Sequence, residues 1–209
     1  MSFTVKELFY TLQGEGANTG RPAVFCRFAG CNLWTGHEAD RSTAVCQFCD
    51  TDFVGTNGPG GGSFATPGSL ADAAAKLWPG GGRPLVVCTG GEPFLQMTAE
   101  LVEALHERGF EVAVETNGTR VGPPGVDWVC ISPKAGADLV LRCGDELKLI
   151  FPQPGAEPER YERLDFRHFF LQPMDGPARE RNTQLAVRYC LEHPRWRLSL
   201  QTQKILGIP

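Results

Sequence analysis

The feature that most constrains this chain is a recurrence: short apolar runs that each end in a polar motif carrying glycine or proline. "LVVC" runs into "TGGEP" (89–93), "VAV" into "ETNG" (115–118), "WVCI" into "SPK" (132–134) and "FFL" into "QPMD" (172–175). Apolar runs of this length, bounded by turn residues, read as buried strands. "PAVFCRFAG" and "DELKLIF" add two more, and "RLSLQTQKIL" closes the chain with a strand-like alternation. Between them, "SLADAAAKLW" reads as a helix opened by Ser69. Met97, Leu101 and Leu105, with Leu95 and Val102, mark a second helix face ended by Gly109, and a third helix is predicted from Pro177 through Cys190. Strands alternating with crossovers specify a parallel sheet. A closed eight-unit barrel takes about 250 residues, and this chain has 209. The expected fold is therefore a single α/β domain over 1–209, an incomplete, splayed (β/α) partial TIM barrel with about six parallel strands and few full-length helices. Ligands of parallel sheets bind at the carboxyl ends of the strands. Four polar motifs at strand ends would share one rim, although each by itself is also ordinary turn chemistry.

Composition removes several function classes. Twenty Lys and Arg against 24 Asp and Glu leave a net charge of −4 and no broad basic field for nucleic acid. Arg179, Arg181, Arg188, Arg195 and Arg197 read as solvated surface. No apolar run reaches membrane-spanning length, and "MSFTVKELFY" lacks the regions of a secretory signal, so a cytoplasmic protein without membrane contact is expected. The stretches "GTNGPGGGS" and "WPGGGRP" contain no GK[ST] and read as loops, not phosphate cradles. Eight cysteines without an export signal argue against a disulfide framework. Cys88, Cys130 and Cys190 lie inside apolar runs and are expected in the core, and Cys143 carries no pattern.

Cys26, Cys31, Cys46 and Cys49 remain. Paired as 26/31 and 46/49 they resemble the knuckles of a four-cysteine zinc ribbon. In "VFCRFAG", however, alternation groups Cys26 with Val24 and Phe28, on the face opposite Arg27. A redox dithiol at 46/49 lacks the following helix start that would lower a thiol pKa. Three thiolates on a [4Fe–4S] cluster would leave one iron open to a small molecule. "GGEP" suits that third reading: its glycines expose backbone groups to a zwitterionic ligand, and Glu92 is placed to accept from an ammonium.

These cysteines with GGEP and ETNG resemble the radical S-adenosylmethionine (SAM) superfamily. The "LQGEG" start (12–16), "FCRFAGCNL" (25–33), "CQFCDT" (46–51) and "SLQTQKILGIP" (199–209) look like its 7-carboxy-7-deazaguanine synthase family. The resemblance implies one [4Fe–4S] cluster per chain on Cys31, Cys46 and Cys49. The family's usual first spacing has three residues, and here there are fourteen, so the cluster loop at 32–45 is enlarged by an insert. His37, Glu38 and Asp40 in that insert read as solvated. SAM is expected against Gly90, Gly91, Glu92, Ser132, Lys134, Gln172, Pro173, Met174 and Asp175, with Glu115 placed to meet its ribose. The implied substrate is 6-carboxy-5,6,7,8-tetrahydropterin, held by Leu12, Gln13, Gly14, Glu15, Arg27, Gly90 and Pro209. Arg27 would take its carboxylate, Gln13 and Glu15 its ring edge, and a docked Pro209 would offer its own carboxylate. Lys148 is expected either to snorkel or to enter the cavity. Mg2+ is implied at Thr51 beside the substrate carboxylate.

The implied reaction is a radical ring contraction that loses ammonia and returns SAM, on the path to queuosine and other 7-deazapurines. An electron donor such as flavodoxin and a homodimer are further implied partners. Two alternatives stand beside it: a radical SAM activase making a glycyl radical on a partner protein, and a non-enzymatic, zinc-stabilised interaction module.

Overall fold

A computed structural model describes residues 2–209. Met1, the first residue of the expected domain, lies outside the described residues. Among the described residues nine strands form one sheet: β1 (Phe3–Leu12), β2 (Pro22–Phe28), β3 (Gly62–Phe64), β4 (Leu85–Gly90), β5 (Glu111–Thr116), β6 (Trp128–Ile131), β7 (Cys143–Phe151), β8 (Asp165–Pro173) and β9 (Trp196–Leu198). Their order is β3-β1-β2-β4-β5-β6-β7-β8-β9, which leaves β3 and β9 as edges, so the sheet stays open. The six expected strands are β2 and β4 to β8, each parallel to its neighbour, and the short β9 extends them. β1 and β3 pair antiparallel and were not among the predicted strands.

Strand alternation sorts the two faces. Val24, Cys26 and Phe28 of β2, Val86 and Cys88 of β4, and Val112 and Val114 of β5 form one apolar face. They pack on α1 (Pro67–Leu77) and α2 (Ala99–Glu107) through Leu70, Ala71, Leu101 and Leu105. Val24, Val86 and Val112 have no exposed surface, and burial of each stabilises the fold by about 1.5–3 kcal/mol. On β7, Leu147 and Leu149 join a second core with Leu171, Ala186 and Trp196, under α3 (Arg179–Glu192). The intervening residues, Arg27, Thr89, Glu115 and Lys148, line a cavity on the opposite face. No helix separates β5 from β6 or β6 from β7, which accounts for the scarcity of full-length helices.

Several local expectations change. α1 is opened by Thr66, not Ser69: the Ser69 amide donates to Thr66 Oγ1 at 3.1 Å and the Thr66 amide to Ser69 Oγ at 3.2 Å, a reciprocal cap followed by Pro67. α2 starts at Ala99, after Thr98 caps it, so Leu95 and Met97 precede the helix. The closing "QTQKIL" alternation is not a strand. The Thr202 amide bonds Gly14 O instead of a strand neighbour, and Thr202–Leu206 form α4, ended by Gly207 at φ +66°. Cys88 is in the core as expected. Cys130 is buried but bonds a carboxylate, Glu146, at 3.2 Å, and Cys190 is only half-buried. The five arginines from 179 to 197 are exposed, with Arg195 and Arg197 lying over the Phe169 and Phe170 rings. Among the described residues no helix is long and apolar enough to cross a membrane.

Candidate active site

Because β4 to β8 run parallel, their carboxyl ends meet at one rim, and a cavity of about 420 Å³ opens there. The strand ends contribute Gly90 and Gly91, Thr116 and Asn117, Ser132 and Lys134, and Gln172 through Asp175. The turn after β1 adds Leu12 through Glu15, and the cluster loop adds Cys31, Cys46, Cys49 and Thr51. The end of the chain adds Gln201, Gln203, Lys204 and Pro209. Every predicted site residue therefore lines this one cavity except Glu92.

Glu92 corrects the sequence reading. Its side chain is fully buried behind the wall, accepting from Thr116 Oγ1 at 2.8 Å, the Asn117 amide at 2.8 Å and the Phe94 amide at 2.9 Å. Burial pushes its carboxyl up, and the three donors partly offset this. Its oxygens tie β4 to β5 and do not face a ligand. The glycines before it are what touch the cavity. Gly90 sits at φ +135°, and a Cβ there would collide with the Phe28 backbone; at Gly91 it would collide with Gly30 O and lie 2.8 Å from Cys31 Cβ. Only glycine lets the β4 end press its backbone against the cysteine segment.

The cysteines divide as alternation predicted. Cys26 is 3% exposed in the apolar core, so it cannot be a fourth ligand. The Leu33 amide donates to Cys31 Sγ at 3.4 Å. Burial pushes the Cys31 thiol up, and the amides of Leu33 and Trp34 work against that rise. Its pairing with Cys46 holds Cys49 down at about 6, while the same pairing pushes Cys46 up. Lys134, half-buried, with its pKa lowered by desolvation, favours both thiolates. Among the described residues no three His, Cys, Asp or Glu side chains converge on a single ion position. A zinc ribbon needs a fourth sulfur, which Cys26 in the apolar core does not supply; a cluster takes each of three sulfurs on a different iron. Three soft donors around a roomy cavity fit the cluster and not the zinc ribbon.

The opposite wall is a charged lattice. Lys148 is 3% exposed and enters the cavity, with Nζ 2.6 Å from Glu15 Oε2 and 3.3 Å from Glu115 Oε1. Gln13 Nε2 donates to Glu115 at 2.9 Å, and Gln201 Nε2 and Gln203 Nε2 each donate to Glu15 Oε1 at 3.1 Å. Burial works to raise the Glu15 pKa, but the Lys148 charge and hydrogen bonds from Lys148, Gln172 and Gln203 hold it down at about 2. Burial opposes the Lys148 charge, and its carboxylate neighbours nevertheless hold its pKa well above the usual range. Arg27 lies across from Glu7, its Nε 2.7 Å from Oε1. Lys204 Nζ bridges Asp50 and Asp175 at 2.6 Å each, joining the end of the chain to the cluster loop and to β8. Glu7, Glu146 and Lys204 carried no sequence assignment; Glu7 becomes readable only once β1 is known to be a strand beside β2. Glu115 lines the cavity, with Oε1 accepting from Gln13 and Lys148 and Oε2 accepting from Thr89 Oγ1 at 3.4 Å.

A three-cysteine rim facing a polar strand-end wall is the layout of a radical SAM enzyme, and the Radical SAM superfamily model matches residues 41–145. The sequence is 63% identical, over all of both chains, to 7-carboxy-7-deazaguanine synthase of Caulobacter vibrioides, and 63% identical, again over all of both, to that of Bordetella pertussis. The crystal structure of QueE from Escherichia coli matches with a TM-score of 0.72 at 26% identity, covering 96% of this chain and 94% of that one. The chain belongs to the 7-carboxy-7-deazaguanine synthase family of radical SAM enzymes. That membership implies a [4Fe–4S] cluster and SAM and sets aside the non-enzymatic zinc module.

Proposed function

We propose that this chain, acting as one domain over 1–209, converts 6-carboxy-5,6,7,8-tetrahydropterin to 7-carboxy-7-deazaguanine with loss of ammonia. The observation that carries this reading is the placement of Arg27 and the Gln13–Glu15–Lys148 lattice in the same cavity as the three cysteines. The activase alternative gives no role to the QGEG turn, Arg27 or the 199–209 segment, and all three contribute to that cavity.

In this proposal Cys31, Cys46 and Cys49 hold the cluster. The backbone at Gly90 and Gly91, together with Ser132, Lys134 and the 172–175 segment, holds SAM. When bound, the cluster and SAM supply the radical that takes hydrogen from the substrate. The residues of the chain do the rest. Arg27 keeps both Nη groups for the substrate carboxylate while Nε is engaged by Glu7. Glu15, ionised at neutral pH, only accepts, and so selects ring N–H donors along the pterin edge. Gln203 Oε1, the buried side-chain acceptor without a partner among the described residues, offers a place for an amino group. Leu12, Phe48 and Met174 shed water from the cavity, and Pro209, whose carbonyl accepts from Thr11 Oγ1 at 3.0 Å, completes its edge. Thr51 is proposed as the protein ligand of Mg2+, with substrate and water filling the other positions. A flavodoxin-like electron donor and a homodimer complete the proposal.

The test is an anaerobic incubation of reconstituted protein with reductant, SAM and the carboxytetrahydropterin, reading product mass. Deazapurine formed with little net SAM loss supports the proposal. Stoichiometric SAM consumption over unchanged pterin overturns it.

A further inference from the structure

The insert between Cys31 and Cys46 is folded. Val45 and Cys46 both donate their amides to Leu33 O, at 3.1 and 3.3 Å, closing it at its base. Residues Glu38–Thr43 form a 3-10 turn that carries Arg41 over the ligand segment. Arg41 Nη1 donates to the carbonyls of Gln47 at 3.0 Å and Cys49 at 3.1 Å. Its Nε and Nη2 grip Glu38 at 2.7 and 2.5 Å. The guanidinium also lies 4.0 Å from the Trp34 ring centroid. Trp34 is 7% exposed, donates Nε1 to His37 O at 3.2 Å and meets Phe53 edge-on at 5.6 Å. Each edge of the fork has a partner, and two of the acceptors flank Phe48 in the Cys46–Cys49 segment.

We infer that Arg41 is a positioning residue for the cluster, holding the Cys46–Cys49 segment through its carbonyls and setting a positive charge beside it. The inference rests on the reading that Cys31, Cys46 and Cys49 ligate that cluster. An outer-shell group of this kind governs how firmly the metal is held, and a nearby charge is one lever on cluster potential. A lysine keeps the charge but lacks the planar fork that serves carbonyls and carboxylate together.

Anaerobically reconstituted wild type, Arg41→Gln and Arg41→Lys are compared for iron and sulfide per chain, for iron release to a ferrous chelator, and for midpoint potential. The apo-proteins are compared by far-ultraviolet circular dichroism. Arg41→Gln is expected to release iron about tenfold faster and to have a more negative potential. Arg41→Lys is expected to release iron equally fast while keeping a near-wild-type potential. Wild-type release and potential in Arg41→Gln overturn the inference and leave the cluster reading intact. Wild type that takes up neither iron nor sulfide overturns the cluster reading and this inference with it.

Discussion

Glu7 and Arg27 are direct cross-strand partners on β1 and β2, and Glu7 Oε1 accepts from Arg27 Nε at 2.7 Å on the cavity wall. The pair fixes the guanidinium by its least useful edge and leaves the two Nη groups for a bidentate anion. A charged hydrogen bond of this kind is worth about 1.5–3 kcal/mol. Glu7→Gln is accordingly expected to raise KM for the carboxytetrahydropterin about tenfold, with kcat little changed. Steady-state kinetics decide it: an unchanged KM would show that Glu7 does not orient Arg27.

Lys148 stands between two carboxylates inside the wall. Lys148→Met leaves Glu15 and Glu115 without their cation, and breaking a buried pair in this way costs about 3–5 kcal/mol, read from urea unfolding at pH 7. The pH dependence carries a sign. Glu15 is depressed from 4.5 to about 2, so its stabilisation is complete above the unfolded value and disappears as the pH falls through the folded one. The gap between wild type and Lys148→Met should be full at pH 7 and close between about 4.5 and about 2. A gap independent of pH across that window would sink the ion-pair explanation.

Glu92 separates a structural carboxylate from a ligand contact. Glu92→Gln would aim an amide N–H₂ at the Thr116 and Asn117 donors, for a loss of about 1–3 kcal/mol. The melting temperature of the metal-free protein should fall. If melting is unchanged and only the KM for SAM rises, Glu92 faces the ligand after all.

Thr51 is the proposed Mg2+ ligand. Thr51→Ala should remove most of the stimulation by added Mg2+ while leaving iron and sulfide content at wild-type levels. Persisting stimulation would place the ion elsewhere.

How much the sequence disclosed depends on whether the signal was local. Alternation in "VFCRFAG" placed Cys26 in the core and Arg27 in the cavity because period two is enforced by burial of one face. The strand-end motifs reached one rim because parallel strands leave no other choice. Glu92 was misplaced since nothing in "GGEP" says that the end of the next strand brings the Thr116 hydroxyl and the Asn117 amide to its carboxylate. The Lys148–Glu15 pair joins positions 133 residues apart, and α4 was read as strand because its start is fixed by the Thr202 amide bonding Gly14 O, a partner 188 positions away. Long-range partners, not local propensity, decided each of these.

The bond from the Thr202 amide to Gly14 O, with those from Gln201 and Gln203 to Glu15, has a bearing on how the protein is made. The turn that would grip the pterin is translated well before residues 201–203, which lie 186 and 188 positions beyond Glu15 at Gln201 and Gln203, so its carbonyl and carboxylate wait for their partners. Competence for substrate is thus deferred until residues 201–203 have been made, and a chain cut short before them would carry the cysteines while Glu15 and Gly14 lack these partners.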